Sequence, residues 1–96
     1  MEVRIFGKKE CSLCKATSEK ISFFVEKWKL KSDVAVVFYD MDTIDGLAEG
    51  SFQNAMDVPT TVFVKDGLEI ARVTKEVPDS GKLEELLLKN TGGLKL

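Results

Sequence analysis

The stretch "TTVFVKDGLEIARV", Thr60 to Val73, constrains the fold of this chain more than any other. Two apolar-rich runs meet at Asp66-Gly67. A two-residue type I′ turn needs positive φ at both central positions, and Asp-Gly accepts that at little cost. The segment therefore predicts an antiparallel hairpin. Near the start, "EVRIF" (Glu2 to Phe6) alternates Val3 and Ile5 with Glu2 and Arg4 and predicts a short strand that Gly7 ends. "DVAVVFYD", Asp33 to Asp40, is a nearly continuous β-branched and aromatic run. That is the pattern of a strand covered on both faces, and it is expected to lie at or near the centre of the sheet.

Between the strands the apolar period changes. From Ser12 to about Leu30, Thr17, Ile21, Phe24, Val25 and Trp28 recur at helical spacing, which predicts a long first helix with Trp28 in the core. Thr43 is a suitable cap for a second helix through roughly Asn54, with Ile44, Leu47, Ala48 and Phe52 inward, although Gly46 and Gly50 are poor helix formers. After Pro78, Asp79 or Ser80 can cap a last helix with Leu83, Leu86 and Leu87 on one face, stopped by Gly92 and Gly93. The order is β-α-β-α-β-β-α. The first two strands, joined by a long helix, should be parallel, and the hairpin should add antiparallel strands. Phe38 and Tyr39 are expected to pack across the sheet. The "DMDTID" run from Asp40 lacks the Gly turn and terminal Glu of a calcium loop and reads as a strand end followed by a cap.

Ninety-six residues, 44% of them apolar, suit one α/β domain spanning 1–96, with 91–96 a frayed tail. Fourteen basic against sixteen acidic residues give a net charge of −2, which offers no pull toward nucleic acid or anionic lipid. "MEVRIFGKKE" lacks the apolar core of a signal peptide, and no apolar run is long enough to span a bilayer. The expectation is a monomeric cytoplasmic protein that binds neither nucleic acid nor membrane.

The two cysteines, Cys11 and Cys14, lie in "FGKKECSLCKA". They are a redox couple, half of a metal site, or a pair of small buried hydrophobes. Placed between the first strand and first helix, Cys11 leaves the strand and Cys14 falls in the first helical turn. Unpaired N–H groups and the helix dipole there favour a thiolate, by roughly 1–2 kcal/mol. Lys8, Lys9 and Lys15 add to the effect and Glu10 opposes it. Residues three apart in a helical turn also have the Cα separation a disulfide tolerates, so Cys14 can resolve a mixed disulfide formed at Cys11. Zinc or an iron–sulfur cluster wants about four ligands, and with no His and no other Cys a metal would need a dimer to share it.

With "CSLC" after the first strand, "VPT" (Val58 to Thr60) opening the third and "FVKDG" leading into the turn, the chain resembles the thioredoxin-fold family. Within that family it is similar to the small glutaredoxin-like or thioredoxin-like redoxins. The resemblance covers Val3 to about Asn90. It implies a thioredoxin-like fold with a four-stranded mixed sheet flanked by helices, and a cis Val58-Pro59 peptide lying against the active-site disulfide. It further implies a disulfide oxidoreductase without a bound cofactor, with Cys11 as nucleophile, Cys14 as resolving thiol, and Val58, Pro59 and Thr60 binding an extended substrate segment by main-chain pairing. Protein disulfides are the implied substrates. The reductant is either a thioredoxin-type reductase or glutathione. The chain departs from the family in having Glu10 before the first cysteine, Ser12-Leu13 between the two, and Ile5 where thioredoxins bury an acid. The last segment, "KEVPDSGKLEELL", shows no glutathione clamp. A glutathione-dependent glutaredoxin, and a non-catalytic thioredoxin-fold interaction or metal-binding module, are the alternatives.

Overall fold

A computed structural model describes residues 1–91. Six elements follow in order: β1 (Glu2–Gly7), α1 (Ser12–Lys27), β2 (Ala35–Asp40), α2 (Ile44–Phe52), β3 (Thr60–Lys65) and β4 (Leu68–Thr74). A seventh, α3 (Ser80–Leu83), runs on into a π-helical stretch, Glu84–Leu88, and a last turn, Lys89–Thr91. Asp79 caps it by accepting from the Lys82 N–H at 2.7 Å. The stop expected at Gly92 and Gly93 lies outside the described residues.

The four strands form one mixed sheet in the order β2-β1-β3-β4. β1 runs parallel to β2 and antiparallel to β3, and β3 pairs with β4 across the predicted hairpin. Asp66 and Gly67 both take positive φ, 53° and 79°, as the turn requires. The expectation for β2 is overturned, because it is an edge strand and β1 and β3 hold the centre. Its apolar run reflects cover on two faces, not a central position. Val36 packs on one face of the sheet and Tyr39 on the other, while Phe38 stays 39% exposed. Burial instead peaks in β3, where Thr60 through Val64 are all buried.

Alternation along β1 feeds two cores. Val3 and Ile5 meet Ile21 and Val25 of α1, its C-cap residue Trp28, and Leu83, Leu86 and Leu87 of the C-terminal helix. Phe6 meets Met41, Ala55, Val62 and Val64 on the opposite face and stacks on Tyr39 with ring centroids 4.7 Å apart. α1 ends earlier than its apolar period suggests, at a Schellman turn. Lys29 takes φ 57°, its N–H donates to Glu26 O at 3.1 Å, and the Leu30 N–H returns to Val25 O at 2.8 Å. Leu30 then tucks into the core beside Val25.

α2 has the predicted Thr43 cap, with the Gly46 N–H donating to Thr43 Oγ1 at 3.0 Å. Its inward face is the reverse of the expected one. Ile44 and Phe52 are 87% and 86% exposed, Leu47 and Ala48 also face outward, and Gly46 and Gly50 are the buried residues. Close approach is the reason. A Cβ on Gly46 would lie 1.9 Å from Asp40 O, and one on Gly50 would lie 2.5 Å from Met41 Cε. The helix backbone presses on the end of β2, and only glycine fits there.

Candidate active site

Cys11 and Cys14 meet at the end of β1 that feeds α1. They form a disulfide with Cα atoms 5.2 Å apart, within the span such a bridge tolerates. Cys11 is the N-cap residue of α1. Its φ and ψ, −92° and 114°, are extended, and its Sγ accepts from the Cys14 N–H at 3.1 Å. The sulfur therefore stands where a capping oxygen ordinarily stands, facing the unpaired N–H groups of the first turn. Such donors and the helix dipole stabilise negative charge on Cys11 once the bridge opens. Cys11 is half-buried, whereas Cys14 is fully buried.

Why Cys14 can sit so deep is legible in Gly7. The last residue of β1 leaves an empty place on the α1 side of the sheet, and the Cys14 side chain fills it. Leu13, between the cysteines, is 47% exposed and forms an apolar rim.

The Val58–Pro59 peptide bond is cis, and Pro59 is buried immediately before β3. In the β1–β3 register Phe6 faces Thr60, so Pro59 comes level with Gly7. Thr60 is buried too, and its hydroxyl donates to Asp57 O. Its side chain thus holds the bend and does not reach outward. The Pro59 carbonyl accepts from the Lys75 N–H at 2.7 Å. Val58 is half-buried, and its backbone N–H and C=O make no hydrogen bond among the described residues. Of the three residues expected to bind a substrate segment, Val58 is the one with unpaired main-chain groups.

Two arginines that sequence reasoning passed over hold the approach to this bend. Arg4 Nη1 donates to Gln53 Oε1 at 2.9 Å. Arg72 Nη1 and Nη2 donate to Asn54 O and Gln53 O at 2.9 and 3.0 Å. Val62 stands between the two arginines in the register, so all three share one face. The sequence signal was faint, an arginine in each of two strands at positions that registry alone brings together. Glu69 in turn grips Arg72 through two contacts of 2.7 Å, which hold the Glu69 carboxyl below the usual carboxylate range and raise Arg72.

Among the described residues, no group of three or more His, Cys, Asp or Glu side chains is arranged to hold a metal ion. What the arrangement can do is exchange two electrons between a dithiol and a disulfide, with one sulfur reachable from outside and its partner sealed within.

No protein-family model and no curated protein sequence matches the chain. Solved structures do. Oxidised thioredoxin O2 from Arabidopsis thaliana superposes with a TM-score of 0.76 at 23% identity, over 94% of this chain and 74% of that one. Thioredoxin 1 from Thermosipho africanus gives 0.70 at 23% identity, covering 88% of each chain. A mutant thioredoxin from Halobacterium salinarum gives 0.72 at 27% identity, over 94% of this chain and 74% of that one. The chain has the thioredoxin fold, and its cysteine pair opens the helix that follows β1.

Proposed function

We propose that this chain is a thiol–disulfide oxidoreductase that reduces disulfides of other proteins. The observation that carries the reading is the unequal pair of sulfurs. Cys11, half-buried at the helix N-terminus, attacks a substrate disulfide, and fully buried Cys14 then attacks Cys11 and releases the reduced substrate. Electrons balance, since the substrate disulfide gains two and the protein dithiol loses two. Val58 offers an extended segment its unpaired N–H and C=O, and Pro59 and Thr60 hold that edge in place. Exposed apolar side chains at Leu13 and, two residues before Val58, at Met56 suit a protein surface better than a small polar thiol.

The reductant that returns the dithiol is proposed to be a flavin-dependent thioredoxin-type reductase. One observation favours a second reading. A hollow of about 400 Å³ beside the cysteine loop is lined by Lys8, Lys9, Lys15 and Phe38 together with Ser18 and Glu19, and such lysines suit the carboxylates of glutathione. Lys8 is partly engaged already, 3.8 Å from Asp42. The deciding experiment oxidises the protein and follows disulfide loss with each reductant, and offers glutathione disulfide to a Cys14→Ser variant. Faster reduction by the reductase supports the first reading. Efficient turnover with glutathione, with a stable adduct on Cys11 and no response to a reductase, supports the second.

A further inference from the structure

Two polar atoms in the interior bond to nothing among the described residues. The hydroxyls of Thr17 and Thr61 are fully buried and have no hydrogen-bond partner among the described residues. An orphaned buried hydroxyl costs about 1–3 kcal/mol, so two of them in a small domain need a reason. A helical threonine ordinarily satisfies itself on a carbonyl one turn back, and Thr17 does not.

Helix spacing and strand register place both on the side of the sheet that Cys14 occupies. Thr17 lies one turn after Cys14 on the buried face of α1, a spacing that sets Cβ atoms about 5–6 Å apart. Thr61 pairs with Ile5 in the β1–β3 register. Strand alternation puts Ile5 on the same face as Gly7, the residue whose missing Cβ makes room for Cys14. Because β1 and β2 are parallel, α1 runs back along β1. Cys14 thus stands over Gly7, and Thr17 stands one turn on, at the level of Ile5 and Thr61.

The dithiol reading above, on which this inference rests, demands chemistry at that depth. In the resolving step Cys14 gives up its proton, which ends on the departing substrate sulfur or in bulk water, and its sulfur bonds to Cys11, while the bond from Cys11 to the substrate sulfur breaks and that sulfur leaves as a thiolate. In the reverse direction Cys14 departs as a thiolate in an interior closed to water. A buried anion without donors is strongly disfavoured. Among the described residues, the side chains that the neighbouring elements turn to this face include no ionisable group. β1 turns Val3, Ile5 and Gly7 to this face, β3 turns Thr61 and Phe63 with Pro59 just ahead of it, β2 brings Phe38, and the C-terminal helix brings Leu83, Leu86 and Leu87. Lys8, Lys9, Glu10 and Lys15, the charges adjoining the motif, are exposed.

We propose that the Thr17 and Thr61 hydroxyls are the donors that hold the Cys14 thiolate, unpaired in the disulfide because their acceptor is the reduced sulfur. They are positioning residues, acting through Cys14.

Thr17→Val, Thr61→Val and the double variant keep the shape and remove the hydroxyls, and Thr17→Ser keeps the donor. Each is mixed, reduced, with an aromatic disulfide such as dithiobis(nitrobenzoate). Attack by Cys11 releases a first coloured thiolate and resolution by Cys14 a second, both followed across pH. With the first release as internal reference, the pH midpoint of the second should rise by about one unit in the double variant, and its rate at neutral pH should fall about three- to fourfold, because the tenfold smaller thiolate share is partly offset by a more basic, more nucleophilic sulfur. Thr17→Ser should behave as wild type. Thermal stability should hold or increase, since valine removes an unpaired group. A second release with unchanged rate and midpoint in the double variant overturns the proposal, whatever happens to stability. A wild-type chain that releases no second thiolate, and so matches Cys14→Ser, refutes the dithiol reading itself and takes this proposal with it.

Discussion

Gly7 and Cys14 occupy one space: a Cβ on Gly7 would lie 2.8 Å from both the Cβ and the Sγ of Cys14. Gly7→Ala is expected to push Cys14 off its seat and destabilise the protein by about 1–3 kcal/mol, the usual cost of overpacking. Urea unfolding of the oxidised and reduced forms measures it. The oxidised form should suffer more, because the bridge prevents Cys14 from moving aside, and an unchanged midpoint in both forms would show that the helix yields freely.

The cap geometry at Cys11 predicts an order of reaction. In the reduced protein, iodoacetamide at neutral pH should alkylate Cys11 well before Cys14, since Cys11 faces helix N–H groups and solvent while Cys14 is sealed. Peptide mapping after brief labelling reads the ratio. Equal labelling, or preference for Cys14, would reverse the assigned roles.

At the far end of α1, Lys29 holds a left-handed conformation without being glycine. Lys29→Gly should stabilise the protein by about 1 kcal/mol by relieving the Cβ penalty at this position. In a domain of this size that raises the melting temperature by about 4–8 °C. A drop in melting temperature would mean that the lysine side chain contributes more than its backbone costs.

α2 offers a paired test. Gly46→Ala forces a methyl group against the Asp40 carbonyl and should cost about 3 kcal/mol or more, whereas Phe52→Gln on the outer face should stay within about 0.5 kcal/mol. Hydropathy alone predicts the opposite ranking, so denaturation of the two variants discriminates cleanly.

The clamp formed by Glu69 and Arg72 predicts a modest dependence on acid. Because the folded state holds Glu69 below the usual carboxylate range, its support is complete above that range and is lost as pH falls through its lowered value. Both side chains are partly solvent-exposed, so the effect should stay under about 1 kcal/mol. Glu69→Gln should flatten that part of the stability profile between neutral and strongly acidic pH, read as the urea midpoint against pH. A profile as steep as wild type would place the acid sensitivity elsewhere.

Much of this molecule is written in local pattern. The Asp66-Gly67 turn, the caps at Thr43 and Asp79 and the cysteine pair at a strand-to-helix junction depend on a few adjacent residues, and each stands where the sequence puts it. The misread features depend on partners distant in sequence. β2 looks central because its side chains are apolar on both faces, yet edge position is decided by which strand β1 takes as its second neighbour. In α2, hydropathy points to Ile44, Leu47, Ala48 and Phe52, while the packing follows the two glycines that allow close approach. The hold of Arg4 and Arg72 on the residues after α2 likewise appears once strand register is known.

The β3–β4 turn has a practical consequence for anyone modifying this chain. Register sets Thr60 beside Phe6 and Val64 beside Glu2, so the hairpin tip lies at the opposite end of the sheet from Cys11. A Cβ built on Gly67 would meet nothing within 4 Å. Exposed tips of this kind tolerate inserted sequence. An epitope, a fluorophore or a surface tether grafted between Asp66 and Gly67 would leave the sulfur end of the protein facing away from its attachment, presenting the cysteines outward on an electrode or bead.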